Sequence, residues 1–157
     1  MNKVVFSFLI LLSVLVSCSE DYTKDKVFLD TLSKEFMEGK KQILIIPVEG
    51  CPGCRDKSLN FMQRNIGHKE IGFVLTTKRS LKDIRLMLMS KEIDLSDKKF
   101  EPLVLDTESK AYQTGIMDKF PVLYQLENGN IKEKHVLSAS YVDEALNSFG
   151  LRESQLK

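Results

Sequence analysis

Tryptophan is missing from this chain of 157 residues, histidine occurs twice, and the charges nearly cancel, with 23 lysines and arginines against 22 aspartates and glutamates. A formal net charge of +1 removes any electrostatic reason to expect a nucleic acid or an acidic substrate as partner. Four prolines and eight glycines leave no material for a collagenous or low-complexity region. Internal repeats and interdomain linkers are absent too. The main apolar run, residues 4–16, is too short for a comfortable membrane span and is interrupted by Ser7 and Ser13. What remains is ordinary: 43% apolar and 29% charged residues, the composition of one globular domain rather than two.

The N-terminal apolar run follows Lys3 and has the length of a signal-peptide core. It ends at Leu15-Val16-Ser17-Cys18. A small residue directly before a cysteine, with leucine three positions upstream of it, resembles the lipobox of bacterial lipoproteins. The resemblance implies that residues 1–17 are a signal peptide and that Cys18 is lipidated and becomes the mature N-terminus. Residues 18–26 are then a polar, mobile tether, and residues 27–157 the folded domain. Several acyl chains on one cysteine hold a protein to a membrane far more firmly than one. The expected location is the bacterial cell envelope, on a periplasmic or surface face. Ser19, Glu20 and Asp21 after the cysteine favour the outer membrane. A secreted protein with an unmodified Cys18, or a retained membrane anchor, are the competing readings. Lipidation of Cys18 would leave an even pair of cysteines in the folded part, in a compartment that permits disulfides.

Beyond the tether, Phe28, Leu29, Leu32 and Phe36 recur at helical spacing and predict an amphipathic helix ending near Gly39. Residues 43–48 are a continuous apolar, β-branched run, the pattern of a strand covered on both faces. Leu59, Met62 and Ile66 place a helix over 55–65. Strands are expected at 71–76 and 102–106, and helices at 81–93 and 109–115. Asn128-Gly129 joins strands 122–126 and 131–136 as a hairpin, and 139–149 forms a last helix closed by Gly150. Strands alternating with helices require parallel pairing of the first three strands, and the hairpin is antiparallel.

Between the first strand and the following helix lies Glu49-Gly50-Cys51-Pro52-Gly53-Cys54. A Cys-x-x-Cys at this place has a physical rationale. The helix N-terminus offers unpaired backbone N–H groups and the positive end of the dipole, which stabilise a thiolate. Pro52 has no N–H to leave unpaired and a φ suited to helix initiation. Gly53 lets a partner's backbone come close. Cys51, nearer the loop, is the expected attacking thiolate, and Cys54, one turn in, resolves the mixed disulfide. A zinc site would need two more ligands, and His68 and His135 are distant in sequence and unpaired. A purely structural disulfide closing so short a loop would restrain little chain entropy. No metal is expected. Met87 and Met89 read as helix packing, and His135 as surface.

Residues 27–149 resemble the thioredoxin superfamily. The second element carrying the resemblance is residues 115–124, Gly-Ile-Met-Asp-Lys-Phe-Pro-Val-Leu-Tyr, similar to the family's glycine followed by a proline that opens a strand. The unit from 81 to 106 resembles the strand–helix addition of membrane-tethered, extracytoplasmic thioredoxin-like reductases. The resemblance implies a three-layer α/β/α sandwich with a mixed central sheet and an extra strand–helix unit. It implies a cis Pro121, with Pro52, Gly53, Phe120 and Pro121 lining a substrate groove. It also implies a monomeric thiol–disulfide oxidoreductase acting on protein thiols and disulfides, with no cofactor beyond the Cys51–Cys54 disulfide.

Two departures qualify the resemblance. Gly50 stands where the family commonly has tryptophan, and Ile45 where thioredoxin has a buried acid. Without that acid Cys51 ionises unopposed, while deprotonation of the inner Cys54 should be slow. Glu49 is the nearest candidate for proton transfer, with a solvated loop carboxylate as the other reading, and Arg55 either adds positive potential or is ordinary surface charge. The alternative class is a non-catalytic, thioredoxin-like lipoprotein module whose cysteines stay oxidised while its groove holds a partner.

Overall fold

The apolar run expected as the first strand forms β1 (Gln42–Pro47), and its side chains divide alternately between two cores. Leu44 and Ile46 join one, Ile43 and Ile45 the other, as the period of two of a strand demands. The computed structural model describes residues 21–149. Around β1 the sheet has the order β3-β2-β1-β4-β5. Here β2 is Ile71–Thr76, β3 Val104–Asp106, β4 Val122–Glu127 and β5 Asn130–Val136. Strands β1, β2 and β3 are parallel, whereas β4 runs antiparallel to β1, and β5 to β4. The parallel block and the terminal hairpin were both legible from the element order.

Helices cover both faces. On the first lie α3 (Pro52–Asn65), α4 (Leu81–Ser90) and α6 (Val142–Phe149), contributing Leu59 and Met62, Ile84 and Leu88, and Val142 and Ala145 to one core. The second face carries α1 (Thr23–Leu29), α2 (Lys34–Met37) and α5 (Lys110–Gln113), with Phe28, Leu29 and Ala111 buried against Ile43, Ile45, Val74 and Tyr124. This is a three-layer α/β/α sandwich of thioredoxin-like architecture, with the α4–β3 unit appended beside β2. The β4–β5 turn has positive φ at both central residues, 52° at Asn128 and 78° at Gly129, as the asparagine–glycine signal requires.

Element bounds depart from expectation where tertiary contacts outweigh local pattern. The helix expected from Phe28 to Gly39 is two short helices. Ser33 breaks it by taking an extended backbone and accepting the Phe36 N–H as N-cap of α2. Helix α1 starts at Thr23, inside the stretch expected to be a mobile tether. The cause is Asp25, which is 5% exposed and accepts the Tyr124 hydroxyl at 2.5 Å and the Lys134 ammonium at 2.6 Å. A polar residue in a polar segment thus docks α1 onto β4 and β5. Helix α4 stops at Ser90 rather than 93, with Glu92 in a left-handed conformation (φ 56°) that returns Ile93 to the core. The last helix begins at Val142 because residues 138–141 form a turn, with the Tyr141 N–H bonded to the Ser138 carbonyl.

The Asp25 group makes a measurable contribution. Asp25→Ala leaves a buried phenol and a largely buried ammonium without their acceptor, and should cost about 2–4 kcal/mol in urea unfolding. Tyr124→Phe leaves the ion pair intact and should cost about 1 kcal/mol. Burial, then the bond to Asp25 and its charge, pushes the Tyr124 phenol well above the usual tyrosine range. The folded state therefore holds a proton that the unfolded state loses near pH ~10, so stability falls as pH rises from about 10. Each pH unit there removes up to ~1.4 kcal/mol, and Tyr124→Phe should flatten that decline.

Candidate redox site

At the carboxyl end of β1 the chain turns into α3, and the two cysteines occupy that joint. Cys51 is the N-cap of α3, with extended backbone (φ −68°, ψ 105°), and its carbonyl accepts the Arg55 N–H at 3.0 Å. Its Sγ accepts the Cys54 N–H at 3.3 Å, so sulfur takes the place of the usual capping oxygen. Pro52 is the first helical residue, as expected. Cys51 and Cys54 form a disulfide across a Cα–Cα distance of 5.4 Å. Cys54 is 1% exposed and Cys51 half-buried, while Pro52 and Gly53 lie on the surface. The order of accessibility expected for the pair, outer Cys51 and inner Cys54, is present.

The loop before β4 rests on this joint. The Cys51 N–H donates to the Lys119 carbonyl at 2.9 Å. Gly50, at φ 105°, makes that approach possible: a Cβ there would lie 2.7 Å from the Lys119 carbonyl carbon and closer still to its oxygen. The residue found where tryptophan was the family expectation is therefore required by backbone contact.

The expected cis bond at Pro121 is corrected, since the described residues contain no cis peptide. Backbone hydrogen bonds hold both ends of the segment. Lys119 caps Cys51 on one side, and the Pro121 carbonyl accepts the Leu137 N–H at 2.8 Å on the other, continuing the β4–β5 pairing. Pro121 is buried, and Phe120 is half-buried with the Lys119 ammonium 5.2 Å above its ring.

Glu49 is half-buried, with its carboxylate committed to three neighbours. It accepts Thr77 Oγ1 at 2.7 Å, the Lys78 N–H at 3.2 Å and the Tyr112 hydroxyl at 3.4 Å. Ser109 Oγ in turn donates to the Thr77 carbonyl at 2.5 Å. Asp106, buried at the end of β3, accepts Thr76 Oγ1 and the Lys110 and Ala111 N–H groups at 2.8–2.9 Å. The loops following β1, β2 and β3 are thereby tied together at the carboxyl end of these strands. Burial, then the Glu49 charge, raises the Tyr112 phenol above its usual range, so it stays a donor to Glu49 at neutral pH. Arg55 folds back to donate Nη1 to the Val48 carbonyl at 2.8 Å and reaches Asp56, which also pairs with Lys91 at 2.7 Å. Its charge is thus partly answered by a neighbouring carboxylate.

The structure brings Cys51, Cys54, Pro52, Gly53 and Glu49 to one joint and lays the 118–120 loop against it. Cys18 lies outside the described residues. His68 Nδ1 takes the Glu70 N–H, and His135 is half-buried between Tyr141 and Glu133, a correction to its reading as surface. Among the described residues no group of three or more histidine, cysteine or acidic side chains could hold a metal ion. Thr77 and Lys119 were not legible as site residues. The Lys119 contribution is a backbone carbonyl, which leaves no mark on side-chain pattern.

Compared with protein-family models and with curated proteins, the chain matches none. Fold and site together define it as an α/β sandwich, compatible with the thioredoxin-like class, with a disulfide at Cys-x-x-Cys spacing on a helix N-terminus.

The two glycines of the joint should respond oppositely. Gly50→Ala meets both positive φ and the Lys119 backbone, and should destabilise by roughly 2–5 kcal/mol. Gly53→Ala has open space around the new methyl and gains helix propensity, so stability should hold or rise by about 0.5 kcal/mol. Urea unfolding of the oxidised proteins decides both.

Proposed function

We propose that the protein is a thiol–disulfide oxidoreductase, with Cys51 as nucleophile and Cys54 as resolving thiol. The observation carrying this reading is Cys51 Sγ at the N-cap of α3, taking the Cys54 N–H, with Cys51 accessible and Cys54 enclosed. That N–H and the helix dipole favour negative charge on the outer sulfur. In the reducing direction the Cys51 thiolate attacks a partner disulfide, forming a mixed disulfide and releasing one partner thiolate. Cys54 loses its proton and attacks Cys51 Sγ. The Cys51–Cys54 bond forms, and the second partner sulfur leaves and takes up a proton. Two electrons pass from the pair to the partner, and the oxidising direction is the reverse. The partners are protein thiols and disulfides, approaching over Pro52, Gly53 and Phe120. Glu49 serves as a clamp on the loops around the pair, since its oxygens are engaged by Thr77, Lys78 and Tyr112.

The reduced protein should alkylate at Cys51 first. Thiols at helix N-termini in Cys-x-x-Cys pairs ionise at roughly pH 3.5–7.5 against ~8.5 for free cysteine, and peptide mapping of alkylation across pH reads this directly. Cys54→Ser should accumulate mixed disulfides on Cys51, and Cys51→Ser should abolish exchange. Labelling of Cys54 first, or no trapped adduct, favours the binding-module alternative, in which the disulfide is structural.

We further propose that Cys18 is lipidated and holds the domain on the bacterial cell envelope, a reading supported by Leu15-Val16-Ser17-Cys18 after the apolar core. Cys18→Ala should leave an unprocessed or soluble precursor with the folded domain intact, read by membrane fractionation and mass spectrometry. Processing at the same bond, with retention on the membrane, would rule it out.

A further inference from the structure

Ser58 is fully buried in α3, and its hydroxyl has no hydrogen-bond partner. A buried unpartnered hydroxyl is costly and rare enough to require a reason. Serines and threonines in helices usually discharge the group onto the carbonyl three or four residues back. Other side chains in this protein do so: Ser90 donates to the Met87 carbonyl at 2.7 Å, Thr114 to Lys110 at 2.8 Å and Ser148 to Ala145 at 2.9 Å. Ser58 makes no such bond to the carbonyl of Cys54.

The position of Ser58 suggests what the hydroxyl is for. It lies four residues after Cys54 in the same helix, so the two side chains share a face one turn apart. Helical side chains lean toward the N-terminus, which carries the Ser58 hydroxyl over the turn that begins at Cys54. Cys54 is itself 1% exposed, so water cannot readily serve its sulfur. In the oxidised protein that sulfur is bonded to Cys51 and is a poor acceptor. Reduction changes this: a Cys54 thiolate is a strong acceptor in a dry place.

We propose that Ser58 is the hydrogen-bond donor reserved for the Cys54 sulfur in the reduced protein. The hydroxyl is left unpartnered by the disulfide and satisfied once the disulfide opens. It keeps its proton throughout. The proton of Cys54 ends on the departing partner sulfur, and Ser58 stabilises the thiolate in between. The device biases the pair toward the dithiol and eases the second half-reaction. It rests on the exchange reading above.

The test uses the full chain carrying Cys18→Ser, so that the pair supplies its only cysteines, with Ser58→Ala and Ser58→Thr compared in that background. Equilibration with glutathione should show Ser58→Ala shifted about tenfold toward the disulfide, a potential ~30 mV more negative. Release of a mixed disulfide preformed on Cys51 should slow about tenfold, while the initial attack by Cys51 keeps its rate. Ser58→Thr retains the hydroxyl and should restore both values. Melting separates this role from ordinary packing. Ser58→Ala should leave the oxidised protein as stable as its parent or more so, and lower the melting temperature of the reduced protein only. Equal losses in both redox states, or an unchanged potential and release rate, would overturn the proposal. If the parent pair fails to exchange with glutathione at all, the oxidoreductase reading itself falls, and the role of Ser58 falls with it.

Discussion

The backbone contact between Gly50–Cys51 and Lys119 organises the site. Cys51 must leave β1 in an extended conformation to cap α3, and its N–H then points away from the helix and needs an acceptor of its own. The Lys119 carbonyl supplies it at 2.9 Å, and only a residue without Cβ at position 50 allows the two chains so close. One hydrogen bond therefore joins the turn after β1 to the turn before β4, strands that pair antiparallel beneath it. The disulfide, the helix N-terminus and the neighbouring aromatic Phe120 all take their places from that joint.

Around it, polar groups do the positioning that apolar packing cannot. The two cores hold the helices on the sheet, but they are indifferent to where a loop tip falls. Glu49 collects donors from the loop after β2 and from α5, and Asp106 pins the start of α5 to β2. Asp25 docks α1 through Tyr124 and Lys134. Each carboxylate sits at a place where two or three chain segments must keep a fixed separation. A buried charge whose partners are supplied by different elements is satisfied in only one arrangement of them, which gives these groups their specifying role.

The same physics links the site to its proposed chemistry. An outer sulfur that accepts a helix N–H and an inner sulfur closed off from solvent are unequal by construction. The outer one is favoured as an anion by the helix end, whereas the inner one must find its stabilisation within the protein. A helix N-terminus can serve one cap residue. The unpartnered hydroxyl of Ser58 stands one turn below the sulfur that the helix end does not serve.

Order of elements, parallel and antiparallel pairing, the hairpin turn and the cysteine pair at the head of α3 were all readable from the chain, because each depends on local chemistry. Apolar runs and helical periodicity, a proline at the first helical position, asparagine–glycine at positive φ and cysteines three apart act over a few residues. Long-range contacts left no comparable trace. Asp25 reads as tether and is buried, since its partners are about a hundred residues away on β4 and β5. Pro121 reads as a cis proline opening a strand and is trans, its segment held by hydrogen bonds from Cys51 to Lys119 and from Leu137 to Pro121. Glu49 reads as either the nearest candidate for proton transfer or a solvated loop carboxylate, and it is half-buried and held by Thr77, Lys78 and Tyr112. Short-range sterics and periodicity are written in neighbouring residues, whereas the partner of a buried polar group is known only once distant segments have met.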